Sequence, residues 1–149
     1  MKSYIPGKIF VDTNVLVYVR DLTEPGKQPR AAEWMAYLWR SRLGRLTVQV
    51  LQEYYTTVTQ KLKPGMQARA AQADVRSFAA WRPFTIDMDV LEGGWALQDR
   101  FQLSWWAALI VSAAQLGGCH YILTEDLQDG QEFGEVKILS PFIHDPEGP

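Results

Sequence analysis

Short runs of consecutive apolar residues alternate along this chain with longer stretches in which apolar positions return every three or four residues. The first run, Lys8–Val11 (KIFV), predicts a strand buried on both faces, since a half-exposed strand would alternate apolar and polar positions. Asp12 ends that run, and residues 14–20 read as a short helix. Residues 24–29 (EPGKQP) form a loop by their Pro and Gly content. Residues 30–43 put Ala31, Trp34, Tyr37, Leu38 and Leu43 on one side of a helix that Gly44 is expected to end. A second strand is expected over residues 46–48. A helix follows over residues 49–61, carrying Leu51, Tyr54, Tyr55, Val58 and Leu62 on one side until Lys63-Pro64-Gly65 breaks it.

The alternation continues in the second half. Residues 66–81 read as helix, 84–86 as strand and 89–100 as helix. Ser104 is a natural N-cap for the apolar helix Trp105–Leu116, which Gly117-Gly118 stops. Residues 121–124 (YILT) and 135–139 are further strands. Strands separated by helices imply an α/β fold: one domain over residues 1–149, with its core at about 8–139 and a short C-terminal tail. The sheet should be short and parallel, with helices on both faces.

Composition narrows the class. The chain has 149 residues, 47% hydrophobic and 21% charged, which suits a globular core and not disorder. Its single cysteine, Cys119, excludes an internal disulfide framework and suits a reducing compartment. No leader-like apolar run precedes Asp12, and Trp105–Leu116 is too short to span a bilayer, so a cytoplasmic protein with no membrane partner is expected. Charge is uneven. Residues 20–76 hold ten Lys/Arg against five acids, and residues 77–149 hold three against eleven. A basic half of that kind is either a set of solvated helix faces or a surface for a polyanion, with Arg40, Arg42 and Arg45 as candidate RNA contacts.

Two acids occupy equivalent places. Asp12 directly follows the strand KIFV, and Asp126 lies two residues beyond YILT. Ligands of open parallel sheets bind outside the carboxyl ends of the strands, so neighbouring strands would turn both carboxylates into one crevice. Hard cations such as Mg²⁺ take oxygen ligands of this kind. Taken singly, each acid reads first as a cap for the turn or helix after it, and it is the repetition of strand and acid that points to a shared site. Glu53, beside the apolar stripe of its helix, reads by periodicity as a solvated residue. His120 and His144 lack metal-ligand spacing with Cys119, and no phosphate-cradling glycine loop is present.

The motifs together resemble those of the PIN-domain nucleases. VDTNVLVY, with Asp12 and Asn14, resembles the family's opening motif. Glu53 in QEYY resembles its second acid, LSWWAALIVSAA its signature helix, and TEDLQDG its last acidic motif. The likeness runs from Lys8 to Leu139, and among PIN proteins it is nearest to the VapC-type toxins of toxin–antitoxin pairs. It implies a Mg²⁺-dependent endoribonuclease, with Mn²⁺ as an alternative ion. Its partners would be a cognate antitoxin and an RNA substrate, and a homodimer is compatible with it. Asp12, Glu53 and Asp126 match the acids that hold metal and position water, with Asp12 and Asp126 nearest the ion. Asn14 and Thr124 match supporting polar residues, and Asp129 is an additional supporting candidate. An apolar, aromatic groove among helices 30–43 and 49–62 is the expected antitoxin site.

One position departs from the pattern. The family's helix motif carries an acid after its aromatics, where this chain has Ala107. An acid there would also suit the third position of a helix capped by Ser104. Ala107 is either a natural variant or a deliberate substitution made to silence a toxic nuclease; because every other motif is intact, the second explanation is preferred. The first leaves a non-catalytic PIN-like protein that binds RNA or antitoxin.

Overall fold

The computed structural model describes residues 7–146. The expectation of no leader-like run before Asp12 rests mostly on residues 1–6, which lie outside the described residues, as do residues 147–149 of the tail. The elements in chain order are β1 (Lys8–Val11), α1 (Thr13–Arg20), α2 (Gln28–Ser41), β2 (Gly44–Arg45) and α3 (Val48–Thr56). A π-helical turn (Thr57–Lys61) then leads to α4 (Ala68–Ser77) and a 3-10 turn (Phe78–Trp81). The chain continues through α5 (Met88–Arg100), α6 (Trp105–Leu116), β3 (Cys119–Leu123), β4 (Glu132–Phe133) and β5 (Val136–Leu139).

The five strands form one sheet in the order β2-β1-β3-β5-β4. The first four are parallel, as the alternation of strand and helix requires. The fifth departs from the expected all-parallel sheet. β4 pairs antiparallel with β5 across the two-residue turn Gly134-Glu135, in which Gly134 takes a φ of 62°. Ile9, Phe10 and Val11 of β1 are fully buried, so both faces of the central sheet are covered. Among the described residues no helix is long and apolar enough to cross a membrane.

Two expected elements fall elsewhere. The second strand is Gly44–Arg45, not residues 46–48, because the Thr47 side chain accepts the Val50 N–H (3.2 Å) and starts α3 at Val48. Residues 84–86 form no strand beyond a single parallel bridge between Thr47 and Phe84. Gly44 also has a different part from the one expected. Helix α2 ends at Arg42, which takes the left-handed conformation (φ 63°) that glycine usually supplies. Gly44 is buried in β2, where a Cβ would lie 2.4 Å from the ring of Trp81. Gly44→Ala is therefore expected to cost about 1–3 kcal/mol through overpacking, read as a lower melting temperature. An unchanged melting temperature would show that Trp81 has room to shift.

Candidate functional site

Strands β1 and β3 are adjacent and in register, with Val11 opposite Leu123. The residues that follow them, Asp12 and Thr124, therefore emerge side by side at the carboxyl end of the sheet. The Asp12 N–H donates to the Leu123 carbonyl (3.1 Å) and the Thr124 N–H to the Leu139 carbonyl (3.0 Å), which extends the ladder to the rim.

Asp12 serves both readings of its sequence position. Its Oδ1 accepts the Thr13 N–H (2.7 Å) and caps α1, while its Oδ2 accepts the Thr124 hydroxyl (2.9 Å) and the Asn14 amide (3.3 Å). It is 5% exposed, and burial pushes its carboxyl up to about 6. Hydrogen bonds from Thr124 and Thr13 oppose that shift, and the charges of Asp126 and Glu53 add to it. No Lys or Arg ion pair neutralises Asp12 or Asp126 among the described residues.

Asn14 joins the two acids. Its Nδ2 lies 3.3 Å from Asp12 Oδ2, 3.2 Å from Thr124 Oγ1 and 3.0 Å from Asp126 Oδ2. The opposite amide orientation would set an oxygen against two carboxylates, so this orientation is fixed electrostatically. Its Oδ1 is thereby left buried without a partner. Thr124, fully buried, also accepts the Asp126 N–H (3.0 Å), which folds the loop after β3 so that Asp126 stands at the crevice.

The remaining candidates divide. Glu53, on α3, is exposed; partial desolvation raises its carboxyl, Lys61 lowers it and Asp126 raises it, so its field reaches the pair. Ala107 is the third residue of α6, and its N–H donates to Ser104 Oγ (3.1 Å). Asp129 is drawn away from the crevice: its carboxylate takes the Ser140 N–H (2.8 Å) and His144 Nε2 (3.0 Å). Arg40, Arg42 and Arg45 are not brought to the crevice either. Arg40 lies on α2, Arg42 ends that helix, and Arg45 is the last residue of β2, paired with Phe10, with its guanidinium turned back to the carbonyls of Arg42 and Gly44. Among the described residues no three of His, Cys, Asp and Glu converge as a metal cage.

Sequence reasoning missed the group that anchors the loop. Glu125, between Thr124 and Asp126, accepts the Tyr18 hydroxyl and is bonded by Lys27 Nζ (2.9 Å), which sits 5.0 Å from the Tyr18 ring. These partners lie about a hundred residues away in sequence, and nothing local signals the contact.

A buried carboxylate bridged to a second acid across two adjacent parallel strands defines the class when set beside known proteins. The sequence profile of the PIN domain matches residues 9–133, and the chain belongs to the PIN domain family. A toxin–antitoxin complex from Klebsiella pneumoniae is similar over 90% of this chain and 98% of its own, with a TM-score of 0.63 and 16% identity. VapC20 of Mycobacterium tuberculosis, described as a sarcin–ricin loop cleaving toxin, is similar over 87% of this chain and 99% of its own, with a TM-score of 0.61 and 22% identity. At these identities the likeness is one of fold. A search of curated proteins finds no significant match.

Proposed function

We propose that this chain has the scaffold of a metal-dependent endoribonuclease toxin, held in check by an antitoxin and disarmed by Ala107. The observation that carries the reading is the Asp12–Asn14–Thr124–Asp126 cluster at the crevice. Two carboxylates that form no ion pair among the described residues, one of them desolvated, are what a hard cation stabilises, and Mg²⁺ uses one or two carboxylates with water in its other positions. Asp12 and Asp126 would hold Mg²⁺ or Mn²⁺. The bound ion would supply charge stabilisation at the phosphoryl oxygens and a more acidic water.

The chain's own residues do the rest. Thr124 and the Thr13 N–H keep Asp12 in one orientation, and Asn14 sets its distance from Asp126. Glu53, exposed on α3 and within the field of Asp126, would help to position water on the solvent side. An acid at 107 would add the missing charge from the first turn of α6. The likeness to a toxin–antitoxin complex and to a sarcin–ricin loop cleaving toxin supports the toxin reading for this chain. For the antitoxin, a cleft of about 400 Å³ between α1, α2, α3 and α4 offers Leu16, Val19, Met35, Trp39, Tyr54 and Phe78, with the Arg20–Asp74 ion pair (2.7 Å) beside them.

The alternative is a non-catalytic PIN-like protein that binds RNA or antitoxin. Ala107 and the absence of a three-acid cage among the described residues favour it specifically. The metal half of the proposal is tested by calorimetric titration of the chain with Mg²⁺ and with Mn²⁺. Weak binding that Asp12→Ala abolishes is expected. Tight binding that survives in the variant would place the ion elsewhere and remove this support.

A further inference from the structure

Among the described residues two other than glycine have a positive φ, and both are arginines: Arg42 at 63° and Arg82 at 52°. Each closes a helical segment, Arg42 after α2 and Arg82 after the 3-10 turn. Glycine or asparagine ordinarily fills such a position, because a side chain in the left-handed region costs backbone energy. A cation near a helix end is favourable, which would account for either arginine alone. The segments that follow them are also adjacent. The Trp81 ring lies against Gly44, the Phe84 N–H donates to the Leu46 carbonyl (2.9 Å), and Thr47 pairs in parallel with Phe84. Residues 82 and 45 therefore run alongside one another.

Arg45 completes the group. Its Nη1 donates to the carbonyls of Arg42 (3.1 Å) and Gly44 (2.7 Å), which draws its guanidinium back towards Arg42 and leaves its other N–H groups unspent. Lys8 begins the adjacent strand β1. Both Arg45 and Lys8 act on the thiol of Cys119, which burial nevertheless pushes up to about 11, so the two charges share one end of the sheet. Among the described residues none of Arg42, Arg45 and Arg82 forms an ion pair, whereas Arg20, Lys27 and Arg30 are each matched to an acid. Unneutralised guanidinium groups held at one edge, two of them on strained backbone, suit the bidentate, sequence-independent contacts of a phosphate backbone.

We propose that Arg42, Arg45 and Arg82, with Lys8, form an RNA-backbone docking surface at the β2 edge of the sheet. The surface holds a structured RNA by its phosphates. It deepens the ribonuclease reading and rests on it only for the choice of RNA as the polyanion.

The backbone geometry supplies a clean test. Glycine is the residue the two positive-φ positions favour, so Arg42→Gly and Arg82→Gly remove charge without threatening the fold. The triple variant R42G/R45Q/R82G is compared with the unchanged chain for binding to a fluorescent RNA hairpin of about thirty nucleotides, in EDTA so that nothing depends on cleavage. The expected result is a melting temperature unchanged or raised, affinity lower by about tenfold or more, and a salt slope smaller by about 2–3. A second variant, R69Q/R76Q on α4, removes charge elsewhere and should reduce the slope by about 1 at most. An equal loss in both variants would reduce the effect to net charge and overturn the proposal. Unchanged affinity and slope in the triple variant would overturn it too, including the case in which the variant loses a protein partner instead. A chain that binds through the patch yet never cleaves would retain this surface and defeat the nuclease reading alone.

Discussion

Ala107→Asp is expected to convert this chain into an active ribonuclease that cleaves RNA in Mg²⁺ and arrests growth when produced without an antitoxin. The substitution demands little of the fold. The cap bond at this position is made by the backbone N–H of residue 107 to Ser104 Oγ, so the side chain is free to change. A carboxylate in a first helical turn is worth about 0.3–1 kcal/mol of stabilisation. It would add a further acid to Asp12, Asp126 and Glu53, whose mutual repulsion already raises the Asp12 carboxyl. The variant should therefore gain more melting temperature from Mg²⁺ than the unchanged chain does. Gel analysis of a broad panel of structured RNAs decides the matter. A folded, Mg²⁺-binding variant that cuts none of them would hand the lead to the binding-protein alternative.

The second large effect is on stability and runs opposite to function. Burial raises the Asp12 carboxyl from its ordinary 3.8 to about 6 in the folded chain. A group whose folded value is raised supports the fold below its unfolded value, and that support is lost as pH rises through the folded one. Above pH 6 the native state thus carries an ionised, desolvated carboxylate, and the rise in its pKa corresponds to a cost on the order of 3 kcal/mol. Asp12→Asn removes the charge and keeps an oxygen for the Thr13 N–H, although its NH₂ must face Asn14. In EDTA at pH 8 the variant should melt about 10 °C higher, with the gap closing as pH falls from about 6 to about 4. Adding Mg²⁺ should narrow it from the other side, by stabilising only the unchanged chain. Equal melting curves across the pH range would show that Asp12 is not desolvated.

The elements legible in the sequence were those whose signals are local. Ser104 and the double glycine bracket Trp105–Leu116 with no residue to spare, and KIFV is β1 to the residue. The Asp12–Asp126 pairing rested on one condition, adjacency of β1 and β3, and the sheet order meets it. What failed depended on distant partners. Gly44 looks like a helix stop until Trp81, thirty-seven positions on, is seen against its Cα. Asp129 sits in the same TEDLQDG segment as Asp126, but His144 and Ser140 take its carboxylate, and no periodicity carries that information. The arginines lie close together in sequence, yet nothing local shows that the Arg45 guanidinium turns back to the carbonyls of Arg42 and Gly44.

The backbone cap at residue 107 has an evolutionary corollary. Codons for aspartate and alanine differ at a single base, and here the exchange leaves the cap bond, and with it the start of α6, in place. On the proposed reading, a lineage can pass between armed and disarmed forms in one mutational step without crossing a valley of misfolded intermediates. A population under pressure to escape its own toxin would find this position early, because losing Asp12 disturbs a helix cap and losing residue 107's acid disturbs none.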